Sequence, residues 1–114
     1  MNYDANELDL MFGDDPEIFE EILNDFVETK DQMLSQVSEA ISTKSADQLE
    51  ITAHTLKGVL ATFCSLKGKE IAQSLERKGK KSEFDNVDEM YTELVIEVDK
   101  LISNLKSHNF QSAA

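Results

Sequence analysis

The last third of the chain constrains the fold most. Val87, Tyr91, Leu94, Val98, Leu101 and Leu105 fall at i, i+4, i+7, i+11, i+14 and i+18, a spacing that lands on one face only if the backbone is α-helical. A second stripe comes earlier, where Phe19, Phe26, Met33 and Ala40 recur every seven residues with Ile22, Leu23, Val37 and Ile41 beside them. Such a Phe and Met stripe is core packing, and no Cys/His set or flavin motif accompanies it. With one proline and four glycines in 114 residues, little interrupts these helices. The pattern predicts an all-α fold in a single domain, with bundle helices over about 16–42, 45–64, 66–78 and 86–106. A short helix over about 5–12, carrying Leu8, Leu10, Met11 and Phe12 and closed by Gly13, caps one end. Links this short imply antiparallel neighbours, hence an up-down-up-down four-helix bundle.

The helix ends carry their own signals. Asp15 caps and Pro16 suits the first helical position, with Glu17, Glu20 and Glu21 complementing the helix N-terminus. Ser45 with Gln48, and Asn86 with Glu89, read as capping boxes. Gly79 is expected just past the end of its helix. The tail from His108 to Ala114 is expected to fray, with His108 a bystander.

Composition narrows the function classes. A net charge of −12 argues against nucleic acid and anionic membrane as partners. No apolar run approaches the length of a membrane span, and Met1-Asn2-Tyr3-Asp4 lacks the regions of a signal peptide. Cys64 has no second cysteine to pair with. Together these features point to the cytoplasm. There is no P-loop and no nucleotide-binding glycine fingerprint. A carboxylate-bridged di-metal bundle needs Glu-x-x-His on two helices, whereas Glu50 precedes His54 by four residues. No bound cofactor or metal is expected.

The most unusual stretch is Ala53-His54-Thr55-Leu56-Lys57-Gly58. Leu49, Ala53, Leu56, Leu60 and Phe63 form the inward stripe of this helix. At 100° per residue His54 lies about 160° from Leu56, so it points outward. Gly58 is one turn further on and Ala61 lies close to the same direction, which leaves the surface beside the imidazole nearly bare. A glycine inside a helix costs about 1 kcal/mol relative to Ala, and close approach of another backbone or domain is a common reason to tolerate it. Lys57 brings a positive charge to the clearing. Each residue alone has a bland reading: a solvated histidine, or a glycine that serves helix packing. Their combination on one outward face is harder to dismiss. Charge is segregated in the same region. From Lys57 to Lys81 there are seven basic and two acidic residues, a net +5, against −17 in the remainder.

This hexapeptide, followed by Leu75-Glu76 on the next helix, resembles the signature of histidine-containing phosphotransfer (HPt) domains, and the likeness extends from about Asp14 to Leu105. The resemblance implies a four-helix bundle whose surface histidine takes a phosphoryl group from the aspartate of a response-regulator receiver domain and passes it to another receiver. It makes His54 the phosphorylated residue, with Lys57 offsetting phosphate charge and Gly58 giving the partner clearance. Glu76 stands at the position that hydrogen-bonds Nδ1, where glutamine also occurs. Ala61, Lys67, Lys69 and Lys80 are candidate partner-binding residues, the lysines as a basic rim for an acidic receiver pocket. Magnesium would belong to the receiver, and a hybrid sensor kinase would feed the relay. Two positions depart from the pattern: Cys64 stands where relatives often have glycine, and Val59 where a small residue is usual. The starting methionine and absent linker suggest a stand-alone chain, and one exposed site on a small bundle suits a monomer. A bundle that binds a receiver or helical partner without carrying phosphate is the alternative, which the joint presence of His54, Lys57 and Gly58 disfavours.

Overall fold

The computed structural model describes residues 2–110. They form five helices: α1 (Ala5–Phe12), α2 (Pro16–Ser42), α3 (Ala46–Thr62), α4 (Lys67–Lys81) and α5 (Val87–Lys106). There is no strand among the described residues, although Tyr3 and Ser65 make an isolated antiparallel bridge. Helix α2 packs against α3 and α5, α4 packs against α3 and α5, and α1 lies on α2. The fold is all-α.

The apolar stripes explain the packing. In α3, Leu49, Ala53, Leu56 and Leu60 are fully buried. Each such leucine contributes about 1.5–3 kcal/mol of transfer free energy, which fixes the rotation of the helix about its axis. In α5, Val87, Leu94, Val98, Leu101 and Leu105 are buried and Tyr91 is partly so. In α2, Phe19, Leu23, Phe26, Val37, Ala40 and Ile41 are buried together with Leu34, while Met33 and Ile22 pack at the margin. Phe26 stacks on Phe63 at 5.3 Å between centroids, which ties α2 to the end of α3. In α1 only Leu8 is buried, and Leu10 is 87% exposed.

Two starts are capped as the sequence indicates. Asp15 accepts from Ile18 N–H at 3.2 Å, with Pro16 as first residue, and Ser45 accepts from Gln48 N–H at 3.4 Å. Two other signals resolve differently. Asn86 makes no side-chain bond to α5 and instead sits at φ 61°. Asn tolerates the left-handed region better than most residues, so its work is the turn and not the cap. Gly79 is not the cap of α4, which runs on to Lys81. Ser82, at φ 55°, takes the left-handed position and donates to Gly79 O at 3.1 Å. Gly79 is buried where α4 crosses α3. A Cβ on it would lie 2.5 Å from Glu50 N and 2.9 Å from Ala46 O, so only glycine allows the two backbones to approach this closely. The links between α2, α3, α4 and α5 each hold a non-glycine left-handed residue, among them Lys44 and Cys64.

His108 is no bystander. Its Nε2 donates to Asp9 at 2.8 Å, its Nδ1 meets the Tyr3 hydroxyl at 2.8 Å, and its ring packs edge-on to Phe110. Burial and then the nearby Asp9 charge push the Tyr3 phenol above its ordinary value, so it stays a hydroxyl. The expected fraying from 108 therefore fails for residues 108–110, because these side chains latch the tail onto α1 and the start of the chain. The rest of that expectation lies outside the described residues. At the same end, Asp4 N–H donates to Cys64 O (2.8 Å) and Leu66 N–H to Asn2 O (3.0 Å).

Candidate functional site

The buried stripe of α3 turns His54 outward, and its side chain is 64% exposed. Opposite it, α4 presents Glu76 beside the inward Ala72 and Leu75. The Glu76 side chain is only 7% exposed, a costly place for a carboxylate unless it is paired. Both its oxygens are used. Glu76 Oε2 accepts from His54 Nδ1 at 2.7 Å, and Oε1 accepts from Lys57 Nζ at 2.6 Å. Lys80 Nζ stands 3.9 Å from Oε2. Burial is the largest single influence on this carboxyl and pushes its pKa up. The bonds from Lys57 and His54, with their charges, together outweigh it and leave the group below the ordinary carboxylate value.

The pairing decides the histidine's chemistry. A carboxylate only accepts, so the proton on the facing ring nitrogen must be at Nδ1. In the neutral ring the lone pair is then on Nε2, on the exposed side. The arrangement is a solvent-facing nucleophilic nitrogen held by a buried, charged acceptor. Lys57, 24% exposed, is committed to the same acceptor. Gly58 has nothing within 4 Å of where a Cβ would sit, so it serves no packing within the chain. Ala61, one turn on, is exposed. The surface on this side of His54 is open, as the helical wheel indicates.

The structure thus brings His54, Lys57, Glu76 and Lys80 into one cluster, with Gly58 and Ala61 along the same helix. It sets Lys67 apart, paired with Glu93 of α5 at 2.7 Å. Lys69 is exposed near the start of α4, close enough to Cys64 for its charge to be felt there. Which neighbour a lysine pairs with depends on the rotation of α4 between α3 and α5, which spacing alone does not give. A shallow recess beside the imidazole is lined by Glu50, Ile51, His54, Thr55, Glu76 and Lys80. Sequence reasoning missed Ile51, which is 56% exposed and also lines the neighbouring α2–α3 groove. The detectable signal was an isoleucine on the His54 side of α3, off the inward stripe.

Cys64, the departure in the α3–α4 turn, sits at φ 58°, a conformation in which a side chain is tolerated at a cost and glycine at none. Its thiol is buried and pushed up to about 11, chiefly by that burial. Val59 packs at the margin of the core. Neither disturbs the exposure of His54.

No helix is long and apolar enough to cross a membrane among the described residues. No curated protein gives a significant sequence match. Among solved structures the chain is similar to histidine-containing phosphotransfer protein B (HptB) of Pseudomonas aeruginosa, with a TM-score of 0.86 at 18% identity over 93% of this chain and 92% of that one. At that identity the likeness speaks for the fold. The sequence itself matches the Hpt domain family model over residues 21–108, and on that match the chain belongs to the Hpt domain family.

Proposed function

We propose that His54 is the phosphorylated residue of this chain, taking a phosphoryl group from a receiver-domain aspartate and passing it to another receiver. Family membership makes the chain a phosphorelay intermediate that works with response-regulator receiver domains, and a phosphotransfer carrier as opposed to a kinase. The observation that carries the assignment to His54 is the 2.7 Å bond from its Nδ1 to the buried carboxylate of Glu76. That bond leaves Nε2 as the exposed nucleophile.

The step balances simply. The Nε2 lone pair forms the N–P bond while the P–O bond to the receiver's aspartate breaks, and the aspartate leaves as carboxylate. The Nδ1 proton stays in place, so the ring gains positive charge facing Glu76, the matching negative charge leaves on the aspartate carboxylate, and the phosphoryl oxygens bring theirs with them. Transfer of this kind depends on positioning and charge neutralisation, and the reading asks for no autonomous kinase activity. Gly58 and Ala61 would admit the receiver's acidic pocket, with Ile51 offering an apolar contact. Lys67, Lys69 and Lys80 would act as the basic rim. Magnesium would come with the receiver and no resident cofactor is needed. The helix packing and short links support an antiparallel four-helix bundle capped by α1, one domain over the whole chain. The reading goes with a cytoplasmic monomer fed by a hybrid sensor kinase.

The test is transfer from a labelled, phosphorylated receiver domain with Mg²⁺ to wild type and to His54→Gln. Acid-labile, base-stable label on wild type alone is expected. Label on both would move the site elsewhere in the chain. No label with any of a panel of receivers would turn the reading to a binding module that carries no phosphate.

A further inference from the structure

We infer that Lys80, and not Lys57, is the cation that meets the phosphoryl group, because the carboxylate at position 76 has taken Lys57 as its own counter-ion. The inference deepens the assignment of His54 as carrier and rests on it.

Two lysines stand near the imidazole in different states. Lys57 is 24% exposed and bonded at 2.6 Å to Oε1 of a carboxylate that is itself 7% exposed. Withdrawing it toward a phosphoryl group would strip a buried charge of its counter-ion, which is a heavy loss. Lys80 is 57% exposed and stands 3.9 Å from Oε2, the oxygen that already holds His54. At that distance in water the pairing is weak, and turning the side chain away leaves both Glu76 oxygens still bonded. An amide at position 76 would not have bound a lysine in this way, so the charge on Glu76 is what sets the division.

The recess points the same way. It is lined by His54, Lys80, Glu76, Glu50, Ile51 and Thr55, and Lys57 is not among them. Glu50 adds negative charge to this wall, so a phosphoryl group here needs a cation close by. Lys80 reaches it because Gly79 lets the end of α4 lie directly on the α3 backbone at Ala46 and Glu50. Charge then divides along the ring. Glu76, backed by Lys57, faces the positive charge that develops on the ring at Nδ1, and Lys80 faces the negative charge that the phosphoryl group brings to Nε2. Lys57 is a positioning residue on this account, and Lys80 touches the substrate.

The experiment compares Lys80→Met, Lys80→Arg and Lys57→Met with wild type and His54→Gln. Two quantities are read: the initial rate of uptake from a phosphorylated receiver domain, and the His54 tautomer from long-range ¹H–¹⁵N spectra of the unphosphorylated protein. Lys80→Met is expected to slow uptake by at least about tenfold, the scale of a lost charge-stabilising contact, with the tautomer signature unmoved. Lys80→Arg should restore most of that rate. Lys57→Met is expected to alter the tautomer signature. Unchanged uptake in Lys80→Met while wild type takes label would overturn the inference and leave His54 as carrier. Slowed uptake in Lys57→Met with an unmoved tautomer would also overturn it, since Lys57 would then act on the phosphoryl directly. Failure of wild type to take label from any receiver would sink the carrier assignment, and this inference with it.

Discussion

Gly58 and Gly79 sit on neighbouring helices and do opposite things. A side chain on Gly79 would collide with the backbone of Glu50, while one on Gly58 would enter empty space. Both cost helix stability as glycines, and only Gly79 recovers that cost inside the chain, through the close crossing of α4 on α3. The cost of Gly58 is not offset by any contact within the fold, which is what the proposed docking of a receiver at this face requires. The bland reading of a helical glycine, that it serves packing, is true of one of them and false of the other. Burial, and not residue type, separates a glycine that packs the scaffold from one that is free to meet a partner.

The largest effect should come from breaking the packed glycine. Gly79→Val must part the two helices, and overpacking of this kind costs about 1–3 kcal/mol, occasionally more, with a lower urea midpoint at unchanged slope. A midpoint within error of wild type would mean the crossing is not close. At the open glycine, Gly58→Glu should cut receiver transfer by about tenfold or more through bulk and like charge at the docking face, while stability stays within about 0.5 kcal/mol. Unchanged transfer would remove the clearance argument. Gly58→Ala should go the other way from Gly79→Val, stabilising the chain by about 1 kcal/mol. A loss of stability there would show an unseen packing role.

The buried carboxylate gives a smaller effect, read through pH. Glu76 is held below its ordinary value of 4.5, so as pH falls the unfolded chain takes up the proton first. Its contribution is whole above that value and lost as pH drops through the depressed one. The stability gap between wild type and Glu76→Gln should therefore be constant near neutrality and narrow below about pH 4.5. A gap that widens on acidification would contradict the pairing. Smallest of all, Cys64 should react slowly with alkylating reagents in native protein and readily in urea, as its thiol is buried and held up to about 11.

What the sequence discloses follows from distance along the chain. The helices, the outward turn of His54 and the caps at Asp15 and Ser45 depend on residues within one or two turns, and periodicity reports them. The crossing at Gly79 is not legible in the sequence because its partner is the backbone of Glu50, twenty-nine residues away. The latch at His108 is equally hidden because its partners, Tyr3 and Asp9, lie at the other end of the chain. Asn86 looked like a cap because a short polar residue suits both a cap and a left-handed turn, and only the backbone angle separates the two. The double use of Glu76 needed α3 and α4 side by side before it could be seen.

The latch of His108 on Tyr3 and Asp9 has a consequence for how the chain can be rewired. It brings the two ends of the described chain together beside the α3–α4 turn, while the α2–α3 link lies at the other end of α3, with His54 between. Circular permutation is tolerated where termini adjoin and new ends open in an exposed link. A short linker from Phe110 to Asn2, with new ends cut at Thr43–Lys44, would leave the α3–α4 pair and its histidine on one unbroken piece of chain.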